Sequence, residues 1–182
     1  MIKEILTYPN PILRKKSQDV INFDNELHTL LNDMNETMDY AGGVGLAAVQ
    51  IGTLLNVLVI NIPVENPDNS EEEIQLKENL IEAINPKITH KDGEIVFTEG
   101  CLSIPNIHED VTRAMNITVE YYNRNGKLCT TEANEFLAVA WQHEMEHLSG
   151  HVFIDNLSFM KRKKFEKDWK KKLKESKRNR DL

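Results

Sequence analysis

Between Phe23 and Met38 the apolar residues Leu27, Leu30, Leu31, Met34 and Met38 recur at helical spacing, and Asp24 stands where a capping side chain would open a helix. Ala41-Gly42-Gly43 closes it, since glycine reaches the backbone angles that end helices. The period then changes. Leu55 to Ile62, Ile81 to Thr89, Glu94 to Thr98 and Ile117 to Tyr122 read as strands, and Asn125-Gly126 is a turn signal that pairs the last of them with Lys127 to Glu132. Pro63 to Glu78 is polar and acidic, and reads as a surface loop with a helical fragment. A second helix is expected from about Ala133 to Leu148, stopping near Gly150. A third starts near Ser158, with Phe165, Trp169 and Leu173 on one stripe. There is no internal repeat. Helix, several strands and two further helices predict an α+β fold with mostly antiparallel sheets.

Composition adds class and charge. A chain of 182 residues, 40% apolar and 28% charged, suits one soluble globular core. The formal charge of −7 is unevenly placed. From Lys161 onward there are twelve basic and four acidic residues, net +8, against ten basic and twenty-five acidic in residues 1–160, net −15. This divides the chain into a body, 1–160, and a basic helical extension, 161–182. The acidic body argues against a general nucleic-acid binder and no DNA partner is expected, while the basic tail suits an anionic one. Cys101 and Cys129 are too few for a secreted disulfide scaffold. The longest apolar run, Leu54 to Ile62, is short and broken by Asn56 and Asn61, and Met1-Ile2-Lys3-Glu4 lacks a signal-peptide core. The expectation is a cytoplasmic protein without a membrane span.

The chemistry concentrates in three segments. In His143-Glu144-Met145-Glu146-His147 the histidines lie four apart, on one helix face, so both imidazoles can reach one metal with Glu144 beside them. A catalytic metal needs a third protein ligand. A histidine six residues after His147 is ruled out, because Phe153 stands there. Glu166 lies at a plausible distance along the chain but among lysines, where an ion pair is its ordinary role. Cys101, in Glu99-Gly100-Cys101-Leu102-Ser103 after a predicted strand, is the other candidate, although a lone cysteine is commonly a small buried apolar residue, as expected for Cys129. The third segment, Gly43-Val44-Gly45-Leu46-Ala47-Ala48-Val49-Gln50, matches a dinucleotide-binding spacing but follows a helix and precedes a strand, the reverse of what that motif requires. It reads instead as a small-residue segment that a substrate backbone can approach, ending in an amide donor, Gln50.

In this order and at these separations the three segments resemble the signature motifs of the peptide deformylase family, as do Tyr8-Pro9-Asn10-Pro11-Ile12-Leu13-Arg14 and Leu148-Ser149-Gly150-His151-Val152-Phe153. The resemblance implies an α+β fold built around a central metal-binding helix. It implies an enzyme that removes the formyl group from the N-terminal formylmethionine of newly synthesised polypeptides, releasing formate. It also implies Cys101, His143 and His147 as metal ligands and Glu144 as general acid and base. Gln50 and the Leu102 N–H would be oxyanion donors, and the backbone near Gly45 would pair with the substrate peptide. The metal implied is Fe(II) in the cell, with nickel, cobalt or zinc as alternatives. Because Ala140, Val139 and Phe136 precede His143 by three, four and seven residues, they should wall a methionine pocket, with Val44 and Phe97 opposite. Since such enzymes act on nascent chains, the basic tail is a candidate ribosome contact.

Two positions depart from the family pattern. Glu146 stands where an aspartate is usual, and is expected to alter a contact behind the ligands. Asn106 to Asp110 lacks a glycine or arginine frequent there. Arg113 is expected to pair with Glu99, an otherwise costly buried charge. The competing readings are a zinc endopeptidase using Glu166 as third ligand, and a non-catalytic ribosome-associated factor, against which the intact Glu144 and Gln50 count.

Overall fold

The structure, a computed structural model, describes residues 1–180. It is α+β, as the hydropathy pattern predicts. Helix α1 (Asn25–Tyr40) begins where the Asp24 carboxylate accepts hydrogen bonds from the Glu26 and Leu27 N–H groups. Among the described residues nine strands follow: β1 (Gly45–Ala47), β2 (Val57–Ile60), β3 (Val64–Asn66), β4 (Asn69–Ile74), β5 (Ile81–Asp92), β6 (Ile95–Cys101), β7 (Ile104–Arg113), β8 (Asn116–Tyr122) and β9 (Leu128–Asn134). Helix α2 (Glu135–Leu148) carries the paired histidines, and α3 (Phe159–Arg180) is the basic tail. Asp181 and Leu182, the last residues of the predicted extension, lie outside the described residues.

All strand pairings are antiparallel: a five-stranded sheet in the order β1-β2-β5-β8-β9 and two ribbons, β3-β4 and β6-β7. β2 explains why the sheet is covered on both faces. Its four residues are all apolar and fully buried. Val57 and Val59 join the cluster that holds Leu27, Leu31 and Met34 of α1, while Leu58 and Ile60 join the one that holds Ala138 and Trp141 of α2. With side chains alternating at period two, each face packs one helix. A third cluster joins Ile104 and Val111 of β7 to Val152, Phe153 and Ile154, and to Phe165 and Trp169 of α3. Those two rings also pack against Tyr8, with centroids 5.6 and 5.9 Å away.

The N-terminal segment runs across all three motif segments. Its backbone N–H groups bond the Gln50 carbonyl from Leu6 (2.7 Å), the Ser103 carbonyl from Tyr8 (2.8 Å) and the Leu148 carbonyl from Ser17 (2.8 Å).

Several local expectations are corrected. The acidic loop from Pro63 to Glu78 is a hairpin, β3-β4, followed by a short 3₁₀ turn at Lys77–Asn79. Its charges hid it, because a two-stranded ribbon on the surface needs little apolar patterning. β7 has a similarly weak signal: Glu109 and Asp110 disfavour strands and are held extended opposite Glu99 and Thr98 of β6, while Asn106, at φ 63°, lies where the register shifts. Leu173 is 38% exposed, so the buried stripe of α3 stops at Trp169. Cys129 is half-buried on the edge strand β9, outside the apolar clusters. Among the described residues, no helix is long and apolar enough to cross a membrane.

Candidate active site

Helix α2 is buried around most of its circumference from Ala138 to Glu144, which is what draws its polar residues into the interior. His143 and His147 are four residues apart with ring centroids separated by 5.0 Å. Strand β6 ends on Cys101, whose Sγ lies 3.3 Å from His147 Nε2. One ligand atom from each of Cys101, His143 and His147 falls within 4.8 Å of the others, so the three can hold one metal ion. Glu166 is not in this group; it is on α3, paired with Arg162 at 3.4 Å.

A chain of carboxylates and guanidinium supports the group from behind. Glu99 Oε2 lies 2.8 Å from His143 Nδ1, which leaves Nε2 to face Cys101. The same carboxylate receives two hydrogen bonds from Arg113, at 2.7 and 2.9 Å, the pairing expected from the sequence. Arg113 Nη1 donates to Glu146 Oε1 at 2.5 Å, and Asn156 Nδ2 to Glu146 Oε2 at 2.9 Å. The longer carboxylate at position 146 is therefore held at both oxygens. Burial alone would raise the Glu99 pKa, yet the Arg113 and His143 bonds outweigh it and hold the carboxyl below its ordinary value. Arg113 is likewise pushed up: burial opposes its charge, but Glu99 and Glu146 prevail.

Glu144 differs from Glu99. Burial pushes its carboxyl up to about 7, and Oε2 is buried with no hydrogen-bond partner among the described residues. Gly45 explains how it is accommodated, because a Cβ at that position would stand 2.5 Å from Glu144 Oε1. Gly43 serves Leu102 in the same way, with a would-be Cβ 2.7 Å from Leu102 Cδ1. Burial lowers the pKa of His147, reinforced by the charges of His143 and Arg113. For His143 burial acts the same way but is overcome by its bonds to Cys101 and Glu99, which raise it.

Gln50 is fixed by the chemistry of its partners. The Ala47 N–H can only donate, so it bonds Gln50 Oε1 (2.8 Å), and the amide nitrogen faces Ser103 Oγ (3.1 Å) and Cys101 Sγ (3.7 Å). In front lies a cavity of about 420 Å³. Its wall includes Val44, Gly45, Gln50, Leu102, Val139, Ala140 and Glu144, together with the rings of Phe97 and Phe136, which stack on each other at 5.0 Å. Cys101 and His143 also line it, while His147 is wholly buried beneath. Sequence reasoning gave no role to Ser103, the partner of Gln50, although it closes the second motif segment, nor to Asn156, the partner of Glu146, which carries no motif signal. Asn106, Ile107 and His108 form the outer wall.

A buried His-Glu-x-x-His helix, a cysteine from an adjoining strand and an apolar cavity over them define a metallohydrolase. The donor set, a thiol and two imidazoles, suits a transition-metal ion. The chain belongs to the polypeptide deformylase family, whose model matches residues 2–163. It is 51% identical over 167 residues to a peptide deformylase of Wolinella succinogenes, covering 92% of this chain and 95% of that one. It is 50% identical over 179 residues to that of Campylobacter jejuni, covering 98% and 99%. It superposes on a peptide deformylase from Legionella pneumophila with a TM-score of 0.84 at 40% identity, covering 96% of this chain and 98% of the other. Enzymes of this family remove the N-formyl group from N-terminal formylmethionine.

Proposed function

We propose that this chain deformylates nascent polypeptides in the cytoplasm with Cys101, His143 and His147 holding one divalent ion, Fe(II) in the cell and replaceable by nickel, cobalt or zinc. The observation that carries this is the convergence of the thiol and two imidazoles within 4.8 Å beneath the cavity. A bound ion of this kind supplies Lewis acidity and a water whose pKa falls from near 16 to roughly 7. Water adds to the formyl carbon and the C–N bond breaks, giving formate and a free amine. Glu144 takes a proton from the water and passes it to the leaving nitrogen, a role for which a carboxyl titrating near neutrality is suited. Gln50 Nε2 and the Leu102 N–H donate to the formyl oxygen as charge grows there. Val44, Phe97, Phe136, Val139 and Ala140 receive the methionine side chain, and the backbone at Gly45 pairs with the peptide.

The test is formate release from a formylated tripeptide by anaerobically purified protein, with metal analysis of the same sample. Cys101→Ala should lose both metal and activity. A variant that kept both would overturn the assignment, and loss of activity in Glu166→Ala instead would favour the endopeptidase reading.

The body, 1–160, carries catalysis, and the basic extension, 161–182, contacts ribosomal RNA through phosphates. Supporting this, Lys170, Lys171 and Lys172 are exposed on α3 while Phe165 and Trp169 fasten the helix to the body. Changing the three lysines to Gln should weaken co-sedimentation with ribosomes at low salt. Unchanged co-sedimentation would remove the reading.

A further inference from the structure

We propose that Gln75, just after the β3-β4 hairpin, is a positioning residue for peptide binding, acting through the Gly43-Val44-Gly45 wall of the cavity. This rests on the deformylase reading above. The Gln75 amide nitrogen donates to two carbonyls, Gly43 O at 2.9 Å and Asn61 O at 2.6 Å, one for each N–H that a primary amide carries. Asn61, following β2, completes the clasp: its backbone N–H bonds Val44 O at 2.9 Å, and its side-chain Nδ2 bonds Leu76 O at 3.2 Å. Thus the carbonyls of both Gly43 and Val44 are held by the residues that join the hairpin to the sheet.

The wall has little freedom to absorb a shift. Gly43 sits against Leu102 and Gly45 against Glu144, each so close that even a methyl group would collide. Gly42, at φ 65°, enters the wall in the left-handed region. Releasing the Gly43 carbonyl would therefore let the wall turn toward solvent and change the backbone edge offered to the substrate. The Gln75 amide bonds two backbone carbonyls, Gly43 O and Asn61 O, and neither belongs to the cysteine or the two histidines, so its effect should appear in peptide affinity and not in metal retention.

The test compares Gln75→Glu, which keeps the shape but cannot donate, and Gln75→Leu, which removes the polar end. Both are assayed with formyl-Met-Ala-Ser and with formylmethionine amide, and metal content and thermal midpoint are measured in parallel. The expected result is a KM for the tripeptide raised about five- to tenfold, the size of one lost hydrogen bond to a peptide wall, with kcat within about twofold. The increase should be smaller for formylmethionine amide, which has less backbone to pair. Metal content and midpoint should stay at the wild-type level. Unchanged KM overturns the proposal. So does a fall in midpoint or metal content that accounts for the loss, since Gln75 would then be only a structural brace. Wild-type protein that releases no formate from either substrate would instead overturn the functional reading itself.

Discussion

Helices α2 and α3 are both rich in polar residues, yet they use them in opposite ways. In α2, Gln142, His143, Glu144 and His147 are all buried, and three of them meet other parts of the chain: Ala114 for Gln142, Glu99 for His143 and Cys101 for His147. Two atoms of this set, Glu144 Oε2 and His147 Nδ1, have no hydrogen-bond partner among the described residues. Among the described side chains of α3 only Phe165 and Trp169 are buried, and the lysines from Lys161 to Lys174 are exposed. A buried polar group is expensive unless paired, so each one in α2 requires a specific counterpart. An exposed lysine requires none. The difference teaches that the same residue types encode geometry in one helix and only charge in the other.

That contrast can be broken most directly at Glu144. Replacing it with Gln should reduce formate release by about 10² to 10⁴ while leaving metal content and fold intact, as read by steady-state kinetics and metal analysis. Retained turnover would mean that its unpartnered carboxyl has no part in proton transfer. Next in size is Arg113→Met, which strands Glu99 as a buried unpaired charge. Denaturant unfolding should show a loss of about 3–5 kcal/mol. A smaller loss would show that His143 alone can compensate Glu99.

Outside α2 the effects should shrink. Asp155 pairs with Arg14 and accepts from the Val152 N–H; burial raises its pKa, but those bonds outweigh it and hold it below the ordinary carboxylate value. A depressed folded pKa contributes stability above the unfolded value, about 4, which is lost as pH falls through the lower folded value. Thermal melts between pH 7 and pH 2 should therefore show a shallower acid loss in Asp155→Asn than in wild type. Smallest of all should be the triple change of Lys170, Lys171 and Lys172 to Gln, with unfolding free energy within about 0.5 kcal/mol of wild type. A larger change would give those lysines a structural role.

The amount of this that could be read from the sequence follows the same division. Helical periodicity located α1 and α2, and the spacing of His143, Glu144 and His147 announced a site because two ligands and a base share one helix. Cys101 was one of two candidates until the motif resemblance chose it, and the fold then brought its sulfur beside His147. The Glu99–Arg113 pair was foreseeable because buried opposite charges must meet. Hidden were features with no periodicity: the β3-β4 hairpin beneath its run of glutamates, β7 imposed by its partner, and the role of Gln75, which touches backbone carbonyls. Backbone atoms are the same for every residue, so no sequence pattern marks which carbonyl a side chain will find.

The three hydrogen bonds from Leu6, Tyr8 and Ser17 have a consequence in time. Synthesis proceeds from the N-terminus, so this stretch is made before every segment it stitches, and its last partner, the Leu148 carbonyl, emerges only when the ligand helix is complete. Such contacts are long-range and must close large loops before they yield any stability. Until then the stretch can be stitched only in part, to Gln50 and Ser103, and the nascent enzyme cannot complete its own cleft before the ligand helix is made. The centre is therefore a late product of folding, sewn together from its oldest end.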